Sequence, residues 1–180
     1  MKDRTQLVED EWLVLRSQDG DTQAFEQLIS RWQDPLWRHA RRLVRDDDAA
    51  WDVLQEAWMS MVSGLRRLDD PGAFPGWAYR IVTFKCADHV RRMERRRRTE
   101  EQRPAQASPT TDGHDDEVAA LRAALADLSV EQRAILSLHY LEELCVERIA
   151  EILEIPAGTV KSRLHHARAA LKTRMGRRRP

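Results

Sequence analysis

Residues 144–171, LCVERIAEILEIPAGTVKSRLHHARAAL, constrain the fold more than any other stretch of this chain. Ile149, Ala150 and Leu153 recur at helical spacing before a Pro156–Gly158 break, and Val160, Leu164, Ala167 and Leu171 recur at the same spacing after it. Proline is tolerated at a helix start, where no amide donor is needed, so the break predicts two helices joined by a tight turn. The second helix carries Lys161, Arg163, His165, His166 and Arg168 off its apolar stripe. A basic helix after a short turn has the dimensions of a helix-turn-helix recognition element, sized for the major groove of duplex DNA. A helical hairpin with a solvated basic face is the plainer alternative.

The rest of the chain extends this helical pattern. Charged residues make up 33% and aromatics 6%, and glycine and proline number only seven each, a composition that suits helices. No convincing period-two alternation is present, and no apolar run approaches the length of a membrane span. The amino-terminal MKDRTQLVEDEW lacks the apolar segment of a signal peptide, so a cytoplasmic protein is expected. Cys86 and Cys145 have no ligand-type spacing and are expected to pack inside helices as small apolar residues. Nucleophile–base sets, glycine-rich phosphate loops and metal motifs are absent, so neither enzymatic activity nor a metal or other cofactor is expected.

The net charge is zero, yet its distribution favours nucleic acid. Residues 157–180 hold eight basic side chains and no acidic one; residues 91–103 hold seven basic against three acidic. Residues 104–156 hold eleven acidic against three basic. Affinity for DNA follows local phosphate contacts, so the basic blocks outweigh the total. The acidic surfaces suit protein contacts, or masking of the basic ones in the free protein.

An all-α chain of two small helical domains joined by a flexible linker follows from the pattern. The first domain spans 1–98. Asp21 is a candidate N-cap for a helix carrying Ala24, Phe25, Leu28, Ile29, Trp32, Leu36, Ala40, Leu43 and Val44, which Pro35 is expected to kink or divide. Asp46, Asp47 and Asp48 open a second helix with Ala50, Val53, Leu54, Ala57, Trp58, Met61, Val62 and Leu65 inward, and with Asp52, Gln55 and Glu56 on a polar face. The loop LDDPGAFPG at 68–76 precedes a helix from Trp77 to about Arg96, with Ile81, Val82 and Val90 as core candidates. Residues 99–117 have a linker composition. The second domain spans 118–176: a helix with Leu121, Leu125 and Leu128, a capping box at Ser129–Gln132 opening a helix that buries Ile135 and Leu138, and the helix-turn-helix. A basic tail, 177–180, ends the chain.

Taken together, these segments resemble bacterial sigma factors of the extracytoplasmic-function (ECF) class over residues 20–98 and 118–175. DGDTQAFEQLISRW, DAAWDVLQEAW and GAFPGWAYRIV…ADHVRR look like the family's region 2. LSVEQRAILSLHYLEELCVERIAEILEIPAGTVKSRLHHARAAL looks like its region 4. The resemblance implies a subunit that binds core RNA polymerase and directs it to promoter DNA, with region 2 melting and holding the −10 element and region 4 reading the −35 element as duplex. It also implies an anti-sigma factor as a possible partner, and a stress or envelope response as the setting. It assigns polymerase binding to Asp52, Gln55 and Glu56. It assigns −10 contacts to Phe74, Trp77, Arg80, Thr83, Phe84, Lys85, Arg91 and Arg92, with Tyr79 a local candidate. For −35 contacts it points to Thr159, Lys161, Ser162, Arg163, His165, His166 and Arg168. Four positions depart from the family pattern: Thr83–Phe84 stand where Arg-Asn is common, His166 where Arg is common, and Glu143 where a turn glycine is common. A stand-alone helix-turn-helix regulator binding a duplex operator is the alternative, though it leaves the region 2-like half without a purpose.

Overall fold

The computed structural model describes residues 4–100, 124–125 and 128–176, and these form seven α-helices. In the first half, α1 (Arg4–Gln18), α2 (Thr22–Val44), α3 (Asp47–Gly64) and α4 (Phe74–Glu100) pack side by side, with short 3-10 turns at Leu65–Arg67 and Pro71–Ala73 between α3 and α4. In the second half, α5 (Val130–Tyr140), α6 (Val146–Leu153) and α7 (Ala157–Gly176) pack mutually. The assigned linker and the start of the second domain lie mostly outside the described residues. Thr99 and Glu100, expected in the linker, instead complete α4.

Local chemistry sets the helix ends. The Asp21 side chain accepts from the Ala24 amide at 3.1 Å, and that of Asp46 from the Ala49 amide at 2.8 Å, each satisfying a first-turn donor that the helix itself leaves unpaired. Asp47 and Asp48 add negative charge where the helix dipole favours it. Ser129 and Gln132 form the full capping box. Pro35 does not divide α2, which runs unbroken. Trp32, Leu36 and Ala40 flank it and are all buried, so continuous packing on both sides offsets the lost amide hydrogen bond. The helix from Trp77 begins earlier than expected, at Phe74.

Trp32 anchors the first half, with the rings of Phe74 and Tyr79 edge-on at 5.7 and 6.1 Å. Complete burial of side chains of this size contributes roughly 1.5–3 kcal/mol each. Helix α1, which the periodicity did not single out, closes one side: Leu13 and Val14 are buried, and buried Asp10 meets the Arg31 Nε at 3.0 Å. Val62 was expected inward but is exposed, because the stripe of α3 runs through Val53, Leu54, Ala57 and Met61. Cys86 is buried and burial pushes its thiol up to about 12. Cys145, by contrast, is exposed at the N-cap position of α6 rather than packed within a helix.

The two halves share one hydrophobic core across a polar seam. Buried His39 on α2 bridges Ser137 of α5 (Nδ1···Oγ 3.2 Å) and Thr83 of α4 (Nε2···Oγ1 2.9 Å). The Arg133 guanidinium donates to the Leu43 carbonyl at 2.7 and 3.2 Å, satisfying an acceptor in the last turn of α2. Glu142 takes the Arg42 guanidinium at 2.8 Å and also accepts from the Tyr79 hydroxyl. Burial, reinforced by Glu142, pushes the Tyr79 phenol well above its ordinary value.

Candidate functional site

The helix-turn-helix is built by a left-handed turn. Glu154 takes φ +51°, which lets the Ile155 amide reach the Ala150 carbonyl at 3.1 Å and the Glu154 amide reach that of Glu151 at 3.3 Å. This pair of bonds is a Schellman closure, usually made with glycine. The turn therefore rests on Glu154, not on Gly158, which lies inside the first turn of α7. Pro156 directly precedes α7, its carbonyl accepting from the Thr159 and Val160 amides at 2.8 and 3.1 Å.

Val160, Leu164 and Ala167 of α7 are buried, and the opposite face points to solvent. Lys161, Ser162, Arg163, His165, His166 and Arg168 are all exposed, with Thr159 half-buried at the amino end. The His165 and His166 rings sit edge-to-face at 5.7 Å. Arg168 stacks over the exposed Tyr140 ring at 5.3 Å, which orients it without neutralising it. Glu143 keeps the α5–α6 connection by adopting φ +55°, the conformation a glycine would take there.

On the first half, Asp52, Gln55 and Glu56 are exposed along one side of α3. Exposed Trp51, Met59 and Val62 share that helix surface, so it is amphipathic rather than simply acidic. The sequence carried this signal, since these residues fall one helical turn from the polar set. Glu56 also turns towards α4, 3.6 Å from Lys85 and 3.7 Å from Arg92. Glu56, Lys85, Asp88, Arg91, Arg92 and Arg95 line an open cleft of about 290 Å³, with four cations against two carboxylates.

The residues assigned to −10 contacts divide. Phe74 is fully buried between Trp32 and Trp77 within the first half, so its ring is core and has no face to offer a base. Thr83 is buried against His39, which accounts for a hydroxyl at a position where a cation was expected. Trp77 is half-buried beside Phe74. Phe84 is exposed, with the Arg80 guanidinium 5.8 Å from its ring centre. Arg80 is paired with Glu154 at 2.5 Å, and Arg91 meets Asp88 and Glu131 at 3.5 and 3.4 Å. Among the described residues no cluster of His, Cys, Asp and Glu could hold a metal, and no helix is long and apolar enough to cross a membrane.

A basic recognition helix joined to a second helical half with a cationic cleft defines a two-part, all-helical DNA-binding protein. Residues 9–177 match the ECF sigma factor family. The RNA polymerase sigma-H factor of Pseudomonas aeruginosa is 30% identical over 177 residues, covering 91% of this chain and 92% of that protein. SigM of Mycobacterium tuberculosis is 33% identical over 168 residues, covering 87% of this chain and 80% of that one. In fold, the chain is similar to CnrH in complex with the cytosolic domain of CnrY (TM-score 0.71, 23% identity, 95% of this chain and 99% of that one). It is also similar to RpoE of Bartonella quintana in complex with the anti-sigma factor NepR (TM-score 0.68, 23% identity, 86% and 98%). The chain belongs to the ECF sigma factor family. It is a non-enzymatic subunit that directs RNA polymerase to promoters.

Proposed function

We propose that the labour is divided between the halves as follows. The first half (1–98) binds core polymerase through Asp52, Gln55 and Glu56 and holds the separated −10 strand. The second half (118–176) reads the −35 duplex through α7. The single observation that carries this reading is the α7 surface, where six polar or basic side chains face solvent while the apolar stripe is buried. Thr159, Lys161 and Ser162 sit near the helix amino end, where base edges are most accessible. Arg163 and Arg168 supply groups that fit guanine or phosphate. On α4, Trp77, Phe84 and Arg80 supply stacking groups for unpaired bases. Lys85, Arg91 and Arg92 line a cleft whose charge suits a strand's phosphates. Phe74 and Thr83 have no direct part in this surface.

The test uses two variants. Lys161→Ala with Arg163→Ala should reduce initiation at a dependent promoter while leaving polymerase binding at the wild-type level. Asp52→Ala with Glu56→Ala should weaken polymerase binding and leave duplex −35 binding intact. Equal loss of both activities in either variant refutes the division.

An anti-sigma factor is proposed as a further partner, supported by the structural neighbour RpoE, which is in complex with the anti-sigma factor NepR. A pull-down that recovers only polymerase subunits counts against it. A cytoplasmic site of action and a role in a stress or envelope response complete the proposal. Transcripts mapped after induced expression test that role, and an absence of envelope or stress genes among them refutes it.

A further inference from the structure

One arginine of the recognition helix is held by a ring instead of a carboxylate. Among the described residues three guanidiniums lie over aromatic rings: Arg16 over Trp12 at 4.5 Å, Arg80 over Phe84 at 5.8 Å and Arg168 over Tyr140 at 5.3 Å. Arg16 is also paired with Asp21 and Arg80 with Glu154, whereas Arg168 meets no carboxylate among the described residues. The ring beneath Arg168 is itself braced. Tyr140 is the last residue of α5, and the His139 ring stands edge-on to it at 4.8 Å. His139 Nδ1 in turn donates to the Leu144 carbonyl at 3.0 Å, within the connection that Glu143 shapes with its left-handed backbone. A line of contacts thus runs from the α5–α6 connection, outside the recognition helix, to one of that helix's cations.

The edge of α7 on which Arg168 stands decides what it can touch. At about 100° per residue, exposed Ser162 and Ala169 point away from the buried Val160, Leu164 and Ala167, and so lie deepest when the helix enters a groove. Lys161, Arg168 and Lys172 fall together to one side of that line, all exposed. Base edges are read near the helix amino end, and Arg168 stands about three turns further on, at the rim that meets the sugar–phosphate wall. We infer that Tyr140 is a positioning residue for promoter recognition: its ring holds Arg168 at the rim of α7, where the guanidinium meets a backbone phosphate of the −35 duplex. This rests on the reading of α7 as the partner of that duplex. The ring attracts the cation without taking up its charge, whereas a carboxylate would compete with phosphate for the same N–H donors. Fixing a free arginine on DNA costs rotamer entropy, and stacking in the unbound chain removes part of that cost in advance.

The full chain with core polymerase provides the test, on fluorescein-labelled duplex promoters selected from random sequence by the wild-type holoenzyme. Binding is followed by anisotropy between about 50 and 200 mM salt. Arg168→Ala should weaken binding to all the selected sequences alike and lower the slope of log K against log salt by about 0.9, the mark of one lost phosphate contact. Tyr140→Leu should weaken binding about threefold to tenfold with the slope retained, because the charge stays and only its placement is lost. Tyr140→Phe keeps the ring and should bind as the wild type does. In an Arg168→Ala background Tyr140→Leu should have no further effect, a coupling that a purely structural role for the ring does not give. A Tyr140→Leu chain that binds as tightly as the wild type, or one that weakens binding equally in both backgrounds, overturns the positioning role and leaves the −35 reading standing. Equal weakening by Tyr140→Phe and Tyr140→Leu places the effect in the hydroxyl and overturns the stacking account. A change of preference at one base pair in Arg168→Ala overturns the phosphate contact. No effect of Arg168→Ala at all overturns the assignment of Arg168 to the −35 duplex, and the inference with it. Should Tyr140→Leu lower the urea midpoint, Tyr140→Gln replaces it with the same expected outcomes.

Discussion

Acidification should destabilise this protein through one side chain, His39. Its imidazole is fully buried between α2, α4 and α5, and burial, with Arg42 nearby, pulls its pKa from about 6.5 down to about 3. The neutral ring can donate from one nitrogen and accept at the other, and the Ser137 and Thr83 hydroxyls rotate to suit either tautomer. A folded-state pKa below the unfolded one means that the unfolded chain takes up a proton that the native chain refuses. The stabilisation is therefore complete above about pH 6.5 and is lost as pH falls towards 3. Between pH 7 and pH 5 the loss is about 2 kcal/mol, since each pH unit well below 6.5 removes about 1.4 kcal/mol. The six tryptophans give a fluorescence signal for urea unfolding at each pH. With a slope of about 2 kcal/mol per molar urea, the wild-type midpoint should fall about 1 M further over this interval than that of His39→Gln, which keeps a polar side chain but does not titrate. Parallel pH profiles for the two proteins would refute the reasoning.

Three further substitutions follow from local geometry. An added Cβ at Gly158 meets nothing within 4 Å, so Gly158→Ala should stabilise α7 by about 0.5–1 kcal/mol, seen as a rise of about 2 °C in melting temperature. At Gly64 the same atom would lie 2.9 Å from the Trp77 ring, and Gly64→Ala should cost about 1–3 kcal/mol in urea unfolding. Glu143 holds a left-handed backbone, so Glu143→Val should lower stability by about 1–2 kcal/mol in thermal melts while Glu143→Gly is tolerated.

The helices and their caps were legible because they are local. Asp21, Asp46 and the Ser129–Gln132 box each bond three residues ahead, and the stripe of α7 repeats within two turns. The exposed face of α7 followed directly, since burying Val160, Leu164 and Ala167 leaves Lys161, Arg163 and His165 outward. The seam was not legible in this way. His39 meets Ser137 across 98 positions and Arg42 meets Glu142 across 100, and no periodicity encodes such pairs. Charge segregation hinted at masking without naming partners. Phe74 was misplaced because a loop-like GAFPG hides the start of α4, and Val62 because apolar character alone does not tell a core face from an exposed one. Helix α1 escaped notice because its buried side contains Asp10, whose charge is matched by Arg31 on another helix.

Bipartite promoter reading is tested most directly by transcription from a library of random sequences with core polymerase and this chain. Sequenced transcripts should share two upstream elements at a fixed separation, absent with core alone, and Lys161→Ala with Arg163→Ala should erase the information content of the distal element while the proximal one persists. Transcripts with no shared upstream element, or loss of both elements together in that variant, would contradict the account.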